Sequence, residues 1–105
     1  MTTPNLEEIN RAKVNLETAR IAWRELQRFF ASGAAIYVSP ALDLVEVAFQ
    51  VSQDNKEQVL AWMEAGEVAR VTDEQALAWH DADLDMWAVV VSPYVFVQQV
   101  EVPTH

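Results

Sequence analysis

Only two glycines, Gly33 and Gly66, occur in 105 residues, and both stand at the same kind of junction. Each follows a run with helical spacing of apolar residues and precedes a short β-forming run, AAIYV at 34–38 and EVARV at 67–71. A glycine just past the last turn takes the left-handed conformation that closes a helix, so the pair marks two helix-to-strand transitions. The same scarcity bounds the chemistry. G-x-S-x-G, G-x-G-x-x-G and the phosphate-binding P-loop all need several backbone positions free of Cβ, and this chain cannot supply them.

Before Gly33, the residues Ile9, Ala12, Leu16, Ala19, Trp23, Leu26 and Phe30 recur at alternating spacings of three and four. That spacing keeps one apolar stripe on one side of a helix. Thr3 or Asn5 can cap its start, with Pro4 tolerated in the first turn. A single helix over 5–32 would run about 40 Å, longer than a small domain is wide, and would leave part of its stripe for a second subunit. A break near Arg20–Ala22 would instead give two helices that bury the stripe within the chain. Both readings stay open.

Past Pro40, the segment PALDLVEVAFQVSQ carries two patterns. Val45, Val47, Phe49 and Val51 alternate as in a strand, whereas Asp43, Glu46, Gln50 and Gln53 form a polar stripe at helical spacing. The helical pattern accounts for more residues and is preferred. Asp54 or Asn55 can cap the next helix, NKEQVLAWMEA, which Gly66 stops. Thr72 with Gln75 makes a capping box for DEQALAWHDA. The final segment, WAVVVSPYVFVQQV, is β-forming except at Pro93, which belongs at an edge or a bend. EQVLAW (57–62) echoes EQALAW (74–79), which predicts two helices burying Leu60 with Trp62 and Leu77 with Trp79.

The expected architecture is one α+β domain over 1–105: an N-terminal helix or helix pair, then strand–helix–helix–strand–helix–strand, with a small three- to four-stranded sheet. The order resembles a winged helix with one helix added. In the alternative arrangement, a crossover helix joins the last two long strands. With 51% hydrophobic residues and four tryptophans, a chain of this length buries a core of its own. Cysteine is absent, which removes disulfides, thiolate metal sites and cysteine nucleophiles together. The opening MTTPNLEEINRAK is acidic and polar, unlike a secretory signal. No apolar run reaches the ~18 residues of a membrane span. Cytoplasmic placement is the expectation.

Net charge is −9, unevenly distributed. Residues 1–33 hold five basic residues against four acidic ones, while 34–105 hold Lys56 and Arg70 against twelve acidic ones. Phosphate backbones are bound chiefly by Lys and Arg, so nucleic acid is not an expected partner. The helix in the winged-helix recognition position offers Lys56 against Glu57 and Glu64, a poor groove reader. The basic N-terminal face is expected to meet an acidic face, in this chain or in a partner.

WHDADLDMW (79–87) is the most chemically suggestive stretch. Asp81, Asp83 and Asp85 begin like a calcium loop, yet Met86 stands where that loop needs Gly, and Ser92 where it needs Glu. His80 and Asp81 are neighbours on a helix and point about 100° apart, so they do not chelate as a pair. His80, Asp81, Asp83 and Asp85 are therefore weak metal candidates on a solvated helix end. No catalytic residue, cofactor or firm metal ligand is assigned. The four tryptophans are assigned to the core rather than to a ligand platform.

The segments ETARIAWRELQRFFASG (17–33), LDLVEVA (42–48), AWMEAGEVARV (61–71), DEQALAW (73–79) and WAVVVSPYVFVQ (87–98) together resemble an uncharacterised bacterial family, domain of unknown function 2288. The resemblance lies in long apolar-acidic segments and implies a bacterial cytoplasmic protein. It supplies no activity and no site residue.

The residues thus point to a small non-enzymatic protein-interaction module, with a homodimer as its expected assembly. Its expected interface is the stripe Ile9, Leu16, Trp23, Leu26 and Phe30, with arginine–carboxylate pairs at the rim. An acid–base or metal-assisted enzyme around His80 and a winged-helix DNA-binding regulator are the alternatives. Neither a nucleic acid nor a membrane partner is expected.

Overall fold

The last two strands of the fold form the middle of its sheet. The computed structural model describes residues 17–100. Five strands and four helices alternate there: β1 (Ala19–Ala22), α1 (Trp23–Ala31), β2 (Ala35–Val38), α2 (Leu44–Ser52), α3 (Lys56–Glu64), β3 (Val68–Arg70), α4 (Asp73–Asp81), β4 (Asp85–Val91) and β5 (Tyr94–Gln99). The strand order is β1-β4-β5-β2-β3. Only β2 and β5 run parallel; β1–β4, β4–β5 and β2–β3 are antiparallel. The protein is thus α+β, as its segment order implies, with an open mixed sheet of five strands rather than three or four. Helices cross the sheet twice, α1 between β1 and β2 and α4 between β3 and β4, in the manner of the crossover arrangement rather than a winged helix.

Both faces of the sheet are covered, which explains the apolar content. Strand residues alternate between faces. Met86, Ala88, Val95 and Val97 join Trp23 and Leu26 of α1 and Ala76 and Trp79 of α4 in one core. Val38, Val89 and Phe96 point the other way and join Leu44, Val47 and Ala48 of α2 in a second core, with Trp62 of α3 packed against it. No polar or charged side chain is buried among the described residues.

The local signals are obeyed where they are strong. Asp43 caps α2, its side chain accepting from the Val45 and Glu46 N–H groups. Asn55 accepts from the Gln58 N–H at the start of α3. Thr72 and Gln75 close the capping box of α4 at 3.1 and 3.0 Å. Gly33 and Gly66 sit at φ 78° and 75°, directly after α1 and α3.

Of the two N-terminal readings, the single helix over 5–32 is excluded, and the helical pattern is interrupted near Arg20–Ala22, where a break is the alternative, though by a strand. Ala19–Ala22 is an edge strand, and its register places Ala19 beside Ala88 and Ile21 beside Met86. Ile21 then packs against the α1–α4 core. Pairing with β4 bonds one side of this strand and extends the sheet, while its outer edge has no strand partner among the described residues. α1 begins immediately after β1 with no side-chain cap at Ala22; its first N–H donates instead to the Leu84 carbonyl at 2.9 Å.

Candidate functional site

Two regions carry the chemistry and surface that a site needs: the aspartate run at the end of α4, and the outer surface of α3.

The aspartate run is built by the descent of α4 into β4. His80 and Asp81 lie in the last turn of the helix, and Asp83 takes φ 50° in the turn that follows. Asp85 opens β4. Their carboxylates are engaged by the arginines of the chain's own N-terminal part. Arg20 Nε donates to Asp85 Oδ2 at 3.1 Å, and Arg24 Nη1 donates to Asp83 Oδ1 at 3.5 Å. His80 Nδ1 stands 3.7 Å from Asp81 Oδ1, both side chains largely exposed. The register brings two of the four weak candidates to the β1–α1 arginines and leaves the other two facing water. They do not converge, and no group of three His, Asp or Glu residues among those described is placed to hold a metal ion. The basic segment thus meets the acidic one within the same chain.

His80 also borders a shallow groove of about 390 Å³ between α1 and α4, with Gln27, Asp73 and the exposed flank of Phe30.

The stripe assigned to an interface divides. Trp23 and Leu26 are 1% and 3% exposed within the single chain. They are core residues, because β1 turns α1 so that this stripe faces the sheet. Phe30 is half-buried against the same core. Ile9 and Leu16 lie outside the described residues. A partner cannot reach Trp23 or Leu26 without unfolding α1.

The outer surface of α3 is the opposite case. None of its nine residues is buried. Leu60 and Met63 stand 54% and 52% exposed, and the burial expected for Leu60 from the hexamer echo is not observed. Leu77 of the echo is likewise exposed, while Trp79 is core. The physical reason is the helical face: Val59 and Trp62 turn inward on α3, and Ala76 and Trp79 on α4. Two shallow apolar grooves adjoin along one side of α3. One, of about 340 Å³, lies against Val51, Asn55 and Leu60. The other, of about 270 Å³, runs over Ile36, Met63 and Phe96 to Arg70 and Tyr94. Both include Val51 and Val59, so the two grooves join into one apolar surface beside the helix. One signal in the sequence could have found it. Lys56 and Glu64 lie four residues either side of Leu60, so Leu60 shares its stripe with charges rather than with core residues.

Trp87 is the other departure. It lies on β4 beside Arg20 of β1, on the sheet face that α2 covers, and is 39% exposed rather than core.

An α+β domain with an open mixed sheet, covered by helices on both faces, is the class these features define. The chain belongs to the family described as protein of unknown function (DUF2288), whose pattern it matches over residues 9–99. It is also similar to a protein of known structure, PA1075 from Pseudomonas aeruginosa, solved in solution by NMR. That similarity is 40% in sequence with a TM-score of 0.79, and it covers 100% of this chain and 99% of that one. No curated protein matches this chain.

Proposed function

We propose that this protein is a small cytoplasmic interaction module without catalytic activity, and that it binds a protein partner through the outer surface of α3. The observation that carries this reading is the exposure of Leu60 and Met63 on a helix bordered along one side by apolar grooves. Fully burying one such side chain from full exposure is worth about 1.5–3 kcal/mol; with each already about half buried, a partner that covered both would gain about that much from the two together. Contiguous apolar surface of this kind marks interaction sites more often than scattered exposed residues do.

The other features support the same reading. Catalytic groups work in desolvated settings that shift their proton affinity, whereas the titratable side chains of the described residues are all at least partly exposed. His80 has one carboxylate beside it and no hydroxyl or thiol nucleophile among its groove neighbours. A surface with twelve acidic residues against two basic ones over 34–105 repels nucleic acid. No helix among the described residues is long and apolar enough to cross a membrane.

The test is photocrosslinking in the intact cell. The photoreactive residue p-benzoylphenylalanine is placed at position 60, and at Glu25 on the exposed side of α1 as a control. The reading expects discrete protein adducts from position 60 that position 25 does not give. Equal yields from both positions, or none from either, overturn it.

A further inference from the structure

We infer that the partner of the α3 surface is a second copy of this chain, docked so that the two α3 helices run antiparallel about a two-fold axis at Leu60. This inference rests on the interaction reading above and names its partner.

The argument is one of symmetry and charge. A two-fold interface must be complementary to itself, each surface patch meeting its own image. With the axis at Leu60, residue 60 − n of one helix faces residue 60 + n of the other. Lys56 then lies opposite Glu64 of the second copy, and the same contact repeats on the far side of the axis. Lys56, Leu60 and Glu64 are spaced by four and share one stripe of α3, and all three are exposed. α3 carries Lys56 near one end and Glu64 at the other, so a partner patch of uniform sign, acidic or basic, would set like charges against one of them. A second copy finds both signs in register.

The shape agrees with the charge. Leu60 sits at the axis and meets its own image across it. The groove between Val51 and Leu60 lies beside the axis and is open to an apolar side chain from the opposite copy. Lys56 is not committed elsewhere: its only ion pair among the described residues is with Asp54, at 4.0 Å, with both side chains more than three-quarters exposed. Stable interfaces cover about 800 Å² on each partner, about a ninth of the 7057 Å² surface of this chain. A nine-residue helix about 13 Å long therefore has to engage the two adjoining grooves as well. In this geometry the apolar residues carry the affinity, and the Lys56–Glu64 pairs set the register.

The experiment is sedimentation equilibrium of the full chain at micromolar concentration, comparing the native sequence with Lys56→Glu, Glu64→Lys and the double swap. The native chain is expected at twice its 11.9 kDa mass. Each single reversal places like charges opposite each other at both symmetric contacts and is expected to weaken the dimer about tenfold. The double swap restores opposite signs and is expected to return affinity to within about threefold of native, since coupled charges are not additive. Far-UV circular dichroism confirms that each variant is folded. A native chain that stays monomeric overturns the second copy as partner. A dimer that the double swap weakens further than either single reversal overturns the antiparallel register. The mass of the position-60 photoadduct separates this failure from that of the interaction reading. An adduct of twice the chain mass supports the self-pair, an adduct of another mass refutes the self-pair while leaving the interaction surface standing, and no adduct refutes both.

Discussion

Trp23 stands edge-on to Trp79, ring centres 4.9 Å apart and planes at 81°, and its indole N–H donates to the Ala76 carbonyl at 3.1 Å. One side chain thereby ties α1 to α4 twice, by ring packing and by a buried hydrogen bond. Trp79→Ala removes the partner ring and leaves a large cavity; such changes cost about 3–5 kcal/mol. Trp23→Phe keeps much of the volume but loses the donor and is expected to cost about 1–2 kcal/mol. Urea titration followed by far-UV circular dichroism ranks the two, and a larger loss in Trp23→Phe would place the weight on the hydrogen bond instead.

Leu77 lies two residues before Trp79 on the same helix and is 62% exposed. Leu77→Ser is expected to change stability by less than about 0.5 kcal/mol, as exposed positions do. The contrast within α4 tests the face assignment directly, because the hexamer echo alone would give Leu77 a core residue's penalty.

The capping box of α4 invites a similar measurement. Thr72→Ala removes the acceptor for the Gln75 N–H and is expected to cost about 1 kcal/mol. Restoration by Thr72→Ser, and not by Thr72→Val, shows that the hydroxyl rather than the side-chain volume is responsible.

Gly66→Ala isolates backbone conformation. Gly66 has φ 75°, and a Cβ added there would meet nothing within 4 Å. Any loss therefore comes from the left-handed backbone, at about 1 kcal/mol. A neutral result would mean that the α3–β3 turn relaxes to another conformation.

The carboxylates of Asp83 and Asp85 are turned toward Arg24 and Arg20. Calorimetric titration with calcium, magnesium, manganese or zinc is expected to show nothing tighter than roughly millimolar, because the oxygen ligand set is incomplete. A micromolar site lost in Asp83→Ala would overturn that expectation. Exposed ion pairs contribute little to stability, so Arg24→Ala is expected to lower it by less than about 1 kcal/mol.

What could be read from the sequence follows the range of the forces involved. The helices α2, α3 and α4, the caps of α3 and α4 and the two glycine stops are decided within a few residues and are legible, whereas Asp43 reads as part of a polar stripe and its capping of α2 does not show. β1 does not show either. Ala19 and Trp23 continue the helical spacing across the break readable near Arg20–Ala22, and only the pairing of Ala19–Ala22 with Asp85–Ala88, more than sixty residues on, makes the segment a strand. The terminal run read as β-forming, but its division into β4 and β5 around Pro93, and the parallel partnership of β5 with β2, depend on the whole sheet. The aspartate run showed its composition but not its neighbours, since Arg20 and Arg24 reach it across the fold. The α3 surface was masked by the expectation that Leu60 is buried, although Lys56 and Glu64 mark its stripe.

The central place of β5 has a consequence for the chain as it is made. β1 and β2 leave the ribosome early, yet β1 pairs only with β4, and β2 is joined to that half of the sheet only through β5. At about 5–20 residues per second, the nascent chain spends seconds with no sheet for its helical segments to pack on; nine-residue helices are marginal without such packing, and the Trp23 and Val47 side chains stay open to solvent. Folding is completed when the final hairpin slides between its older neighbours. A stop or a proteolytic cut before Tyr94 would remove the keystone rather than trim an edge, and the remainder would be a substrate for quality control rather than a smaller version of the same domain.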